Sequence, residues 1–194
     1  GAFLNTAVAT GDSPLGTPTT DDSDDGTDPD TDGNNDPTDP GENDPTPIPV
    51  PEDPVIGIAK QAGATVDNGD GTFTTTITLT LENLGNVDLS SVQVTDDLTA
   101  TFTGASTYTV SNIASGSGLT VNGAFDGNTD KNLLAGSDGM AVDDIDTITF
   151  DITFDPNGVA GPFLNTAVAT GDSPLGTPTP DDSDDGTDPD TDGN

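Results

Sequence analysis

Residues 1–34 and 161–194 carry the same sequence except at two positions, Ala2/Pro162 and Thr20/Pro180. Near-identity over such a length is not chance, so the chain reads as one full repeat plus an overlap, cut from a tandem array. A chain of this kind is expected to fold as a module joined to copies of itself, each copy touching its neighbours. The segment Phe-Leu-Asn-Thr-Ala-Val-Ala-Thr, at 3–10 and again at 163–170, reads as the closing strand of such a module. At 163–170 its module precedes it. At 3–10 it is expected to belong to the preceding module or to be completed by a neighbouring chain.

Composition separates two regimes. Residues 14–53 are Asp, Pro, Thr, Gly and Asn with almost nothing apolar before Pro47-Ile48-Pro49-Val50. Such a stretch cannot bury enough surface to offset its ordering entropy, and reads as a linker. Pro45–Pro54, with proline at nearly alternate positions, reads as an extended spacer. From 54 to 172 the pattern is β. Phe73, Ile77, Leu79 and Leu81 fall on one face of a strand, with Thr74, Thr76, Thr78 and Thr80 on the other. Val92 and Val94 alternate likewise, as do Ile148, Phe150, Ile152 and Phe154, and Asn68-Gly69-Asp70-Gly71 is a turn signal. No helical period is present. The expected fold is all-β, an antiparallel β-sandwich at 54–172. It is flanked by a terminal strand at 1–13, an acidic linker at 14–53 and the start of the next linker at 173–194.

Charge narrows the partners. With 36 Asp and Glu against two basic residues, the formal net charge is -34. Nucleic acid and anionic membrane surfaces are excluded as partners, because the cations that would meet phosphate are missing. No apolar run approaches the roughly 20 residues of a membrane helix, so no membrane insertion is expected. There is no Cys and therefore no disulfide, and no His, Cys or Arg for nucleophile–base pairs or phosphate clamps. The chain is not expected to be an enzyme.

The acidic linker carries the strongest chemical signal. Asp28, Asp30, Asp32, Asp36 and Asp39 stand at positions 1, 3, 5, 9 and 12 of a loop, with Gly33 at position 6. Asn34 at position 7 offers a backbone carbonyl. This is the spacing of a calcium-binding loop, in which glycine permits the sharp turn. The closing residue is Asp39 rather than Glu. An overlapping register runs Asp21, Ser23, Asp25, Gly26, Thr27 and Asp32, so two Ca2+ ions would share Asp28 to Asp32. The second copy supplies Asp181, Asp185, Asp188, Asp190 and Asp192, with Asn194 cutting its second loop short. Asp138, Asp143, Asp144 and Asp146, or Asp96 and Asp97, are weaker candidates for a further ion. The bland alternative for every such run is a solvated polyanion. Lys60 and Asn165, on the first and last strands of the sandwich, leave two readings open. Lys60 either guards a sheet edge or joins Asn165 through an amide bond promoted by an acid such as Glu82 or Asp151.

The motifs Lys60, Asn83-Leu84-Gly85-Asn86, Val94-Thr95-Asp96-Asp97-Leu98 and Asn165-Thr166-Ala167 lie within residues 55–171. Over that span the chain resembles the bacterial surface-protein repeat called domain of unknown function eleven. The resemblance implies an immunoglobulin-like fold, a tandem arrangement, and an extracellular location on the bacterial cell surface or in adhesins. It supplies no catalytic residues, and the insert at 104–135 departs from it. The expected role is a structural repeat of a long adhesin or extracellular fibre, stiffened by calcium in its Asp-rich linkers. Its partners would then be neighbouring repeats and a host or cell-surface receptor. The alternative is a module that binds glycan or protein through its loops and acts multivalently.

Overall fold

The computed structural model describes all residues except Gly1, Ser106, Ser117, Asp192 and Asn194. It comprises two units, Gly1–Pro51 and Glu52–Asn194. The first is built from two strand pairs. Strand β1 (Ala2–Asn5) runs antiparallel to β4 (Thr46–Pro49), with Phe3 opposite Ile48. Strands β2 (Val8–Asp12) and β3 (Pro18–Asp22) form a hairpin. Between β3 and β4 lie the acidic turns. The unit therefore differs from a bare linker: β3 and β4 lie inside the stretch read as 14–53, and Thr46–Pro49 of the proline spacer is paired as a strand. Proline is tolerated there because a two-stranded ladder is all edge.

In the second unit, period-2 alternation builds the core. β5 (Ile56–Ala62), β7 (Phe73–Asn83), β10 (Ile145–Asp155) and β9 (Thr107–Ser115) form one antiparallel sheet, and the short β6 (Val66–Asp67) pairs β7. The central pairing sets Leu79 opposite Ile148 and Ile77 opposite Phe150. Ile77, Leu79, Leu81, Ile148, Phe150 and Ile152 are buried, while the threonines between them face outward or are half-buried. A second sheet is formed by β8 (Ser90–Asp96), β11 (Ala167–Asp172) and β12 (Pro178–Asp182). Val92, Val94, Ala167 and Ala169 from this sheet join the same core cluster. Hydrophobic burial of two alternating faces against each other thus closes the unit.

The insert after β9 completes the core by side chains rather than strands. Leu119, Phe125, Leu133, Leu134 and Met140 are buried in it, held by single bridges such as Val121 to Leu134 and Leu89 to Met140. One helical turn, α1 (Leu98–Thr101), follows β8, with the Asp97 side chain accepting from the Ala100 N–H at 3.2 Å.

The acidic stretch after 172 is likewise incorporated into the unit. β12 completes the smaller sheet, and β13 (Asp184–Asp185) adds to β5 in parallel. Pro189 packs so closely on Gly57 that a Cβ there would stand 2.9 Å from it. A glycine on β5 is what admits this approach.

Candidate metal centre

Asp30, Asp32 and Glu42 bring one carboxylate oxygen each to within 4.8 Å of one another. Local chemistry explains why. Gly33, with φ of 73°, and Asn35, with φ of 70°, take left-handed conformations that coil the chain around Asp30. Asp30 accepts the N–H groups of Asn34 at 3.1 Å and Asn35 at 2.9 Å, and Asp32 accepts that of Asn34 at 2.9 Å. Asn34 therefore contributes its N–H and, through Nδ2, bridges Asp32 at 3.1 Å and Asp39 at 2.6 Å. A turn then reverses the chain: the Glu42 N–H donates to the Asp39 carbonyl at 3.0 Å across Pro40 and Gly41. Glu42 returns to the loop, where Oε1 accepts Thr31 Oγ1 at 3.0 Å and the Asp32 N–H at 3.2 Å. Glu42 is 4% exposed, and its Oε2 has no hydrogen-bond partner among the described residues.

Buried carboxylate oxygens without partners are uncommon, because desolvation is then uncompensated. Like charges about 4 Å apart near a protein surface repel by about 4 kcal/mol. Three carboxylates that converge in this way, with one oxygen unserved, can hold a cation. All its donors are oxygens, the set favoured by hard divalent ions.

The remaining loop residues are spent locally. Asp28 accepts the Asp30 N–H at 3.2 Å. Asp36 accepts both the hydroxyl, at 2.7 Å, and the N–H of Thr38, and these bonds hold its carboxyl below the ordinary value. Asp39 meets Asn34 but does not close the cluster. Glu42, three residues later, takes the place beside Asp30 and Asp32. The spacing rule missed Glu42 because it stops at position 12. The signal was the one Glu between Asp39 and Asp44, directly after a Pro-Gly turn.

The overlapping register is not gathered into one cluster among the described residues. Ser23 Oγ accepts the Ala7 N–H at 3.0 Å, Asp25 and Thr27 are exposed, and Asp21 Oδ1 is buried with no hydrogen-bond partner among the described residues. In the second copy two of the corresponding residues serve the sheet. Asp181 Oδ2 accepts the Ile58 N–H at 2.8 Å, and Asp185 sits opposite Lys60 in β13. The Asp190 N–H donates to Asp188 at 3.1 Å. Burial first, and then Asp188, Asp190 and Asp143, raise the Glu82 carboxyl. Asp192 lies outside the described residues.

The weaker candidates are also separated. Asp146 accepts Ser115 Oγ and the Leu119 N–H, Asp138 the Thr120 N–H, and Asp144 the Ala141 N–H. Asp143 lies near Glu82. Asp96 pairs with Lys60, and Asp97 with Lys131 at 2.6 Å. Glu82 and Asp151 are not beside Lys60 and Asn165: Asp151 is held on the outer face by Thr76 and Asn112. The acid between Lys60 and Asn165 is Asp96.

No family model matches the chain, and no curated protein matches it significantly.

Proposed function

We propose that this chain is a structural repeat of a bacterial cell-surface adhesin or extracellular fibre. Its second unit serves as an immunoglobulin-like sandwich of the kind seen in the domain-of-unknown-function-eleven family, and its acidic turns bind Ca2+. The observation that carries the metal reading is the convergence of Asp30, Asp32 and buried Glu42, with one Glu42 oxygen unserved. Calcium suits this set because it takes six to eight oxygen ligands in a flexible geometry, so backbone carbonyls and water complete the shell. A bound ion relieves the repulsion among the carboxylates and turns a Pro- and Asp-rich segment into a rigid joint. Sequence duplication supports the spacer role, since a spacer needs length and repetition supplies it.

Calorimetric titration of the full chain with calcium, against a chelator control, tests the reading. Binding is expected, and Glu42→Gln is expected to weaken it at least about tenfold, a loss of roughly 1.4 kcal/mol. Absence of binding at millimolar calcium, or full affinity in the variant, overturns the site.

A further inference from the structure

Lys60, Asp96 and Asn165 come from three separate elements. Lys60 lies on β5 of the larger sheet, Asp96 ends β8 of the smaller sheet, and Asn165 precedes β11. They meet at one atom. Lys60 Nζ donates to Asp96 Oδ2, and Asn165 Nδ2 donates to the same oxygen at 3.2 Å. Lys60 is 6% exposed and Asp96 1%. Thr101 Oγ1, on α1, donates to Asn165 Oδ1 at 2.7 Å, so the amide is held at both ends. Asp96 Oδ1 has no partner among the described residues.

As a stabilising device this arrangement is poor. Desolvation of a buried ion pair offsets most of its attraction, and a pair built for stability would satisfy both carboxylate oxygens. As reaction machinery it is complete: an amine, an amide carbon and a proton carrier meet at one carboxylate oxygen. Lys60, Thr101 and Asn165 line a cleft of about 750 Å³ together with Phe73, Phe102, Phe154 and Phe163.

We propose that Lys60 and Asn165 form an intramolecular amide cross-link, with Asp96 carrying the protons. The Lys60 ammonium first gives a proton to Asp96. Burial outweighs the attraction of Asp96 and pushes the Lys60 amine below its ordinary value, which favours this transfer. The neutral Nζ then attacks Asn165 Cγ, and the oxygen bearing the developing charge is already hydrogen-bonded to Thr101. Asp96 delivers its proton to Nδ2 and takes one from Nζ. The Cγ–Nδ2 bond breaks as the Nζ–Cγ bond is completed, and ammonia leaves. On departure it takes the remaining proton as ammonium, and Asp96 is again a carboxylate. No oxidant, metal or second reactant enters the balance, and the aromatic walls limit competing hydrolysis by water.

The bond joins β5, where the chain enters the unit, to the segment before β11, where it leaves the core. Tension along a fibre would then pass through the cross-link rather than through the hydrogen-bonded sheets between them. The inference uses the residues of the second unit alone and does not depend on calcium.

Intact-mass spectrometry of the folded full chain, followed by peptide mapping, decides the matter. The expected mass lies one ammonia below the sequence mass, with a branched peptide pair joined through Lys60 and Asn165. Lys60→Arg and Asn165→Ala, each checked for native circular dichroism, are expected to restore the full mass for their sequences. The full sequence mass in the unaltered folded chain overturns the proposal. So does ammonia loss that persists in Asn165→Ala, or that maps to a cyclic imide at Asn68-Gly69 or Asn157-Gly158 without a branched peptide.

Discussion

The hairpins β2–β3 and β11–β12 are two copies of almost one sequence, and they differ in what receives them. Their registers coincide, Val8 facing Asp22 and Val168 facing Asp182. Their turns coincide: the Ser13 N–H donates to the Thr17 carbonyl at 2.9 Å, as the Ser173 N–H does to Thr177. Even the flanking bonds match, with Ser23 accepting Ala7 N–H and Ser183 accepting Ala167 N–H, both at 3.0 Å. What differs is the third strand. β11 pairs β8 along its other edge, which buries Ala167 and Ala169 completely. β2 has β3 as its pairing partner, and Ala7 and Ala9 are exposed. Hairpin geometry is thus a local property, and burial is conferred by whatever sheet receives it. The other edge of β2, unpaired among the described residues, carries Val8 at 62% exposure and is a template for further pairing.

Matched substitutions in the two copies test that difference. The largest effect is expected for Ala169→Asp, which places an unpaired charge in the core. Loss of more than about 3 kcal/mol, or failure of the second unit to fold, should appear in urea denaturation. Ala9→Asp should change stability by less than about 0.5 kcal/mol, since the site is exposed. Equal effects would mean that the two hairpins share one environment. The next effect concerns Phe163, which packs on Phe102 and Phe154 with ring centroids 5.2 and 5.5 Å away. Phe163→Ala is expected to cost about 1–3 kcal/mol, less than a fully buried phenylalanine because the ring is half-buried. Phe3→Ala, at a side chain 71% exposed, should be near neutral by the same measurement.

The smallest effect is in titration. Burial, more than any other cause, raises the Asp181 carboxyl above its ordinary value, against the opposing pull of the Ile58 N–H. The folded state therefore holds this proton more tightly than the unfolded chain. The resulting stability is present below the ordinary pKa of 3.8 and is lost as pH rises through the raised value. Asp181→Asn should flatten that decline in urea midpoints measured across about pH 3 to pH 6. Asp21→Asn, in the other unit, should leave the profile of the second unit unchanged.

Much of the fold was legible in residues whose neighbours do not matter. The alternation in Phe73–Asn83 and Ile145–Asp155 named the buried faces, because period 2 is a property of any extended chain. The all-β character followed from it. The helical turn at Leu98–Thr101 was not legible, since four residues carry no period, and neither was the route of the insert at 104–135. Its buried Leu119, Phe125 and Leu133 are separated by turns rather than spaced on one strand. The candidate site was half legible. Asp30, Asp32 and Gly33 followed from loop spacing, but Glu42 enters through the Pro40-Gly41 turn, which a fixed spacing rule does not count.

By itself, then, the sequence determined the two alternating strands at the centre of the unit and the acidic loop around Gly33. Each depends on interactions within a few residues or on a simple period. Only the tertiary structure decided that β12 and β13 of one acidic stretch join sheets of the second unit, while β3 of its near-copy pairs β2. It alone decided that Asp96, rather than Glu82 or Asp151, stands between Lys60 and Asn165. Those outcomes depend on which edges and which charges are brought together across long separations in the chain. Identical residues carry no record of the neighbours they will meet.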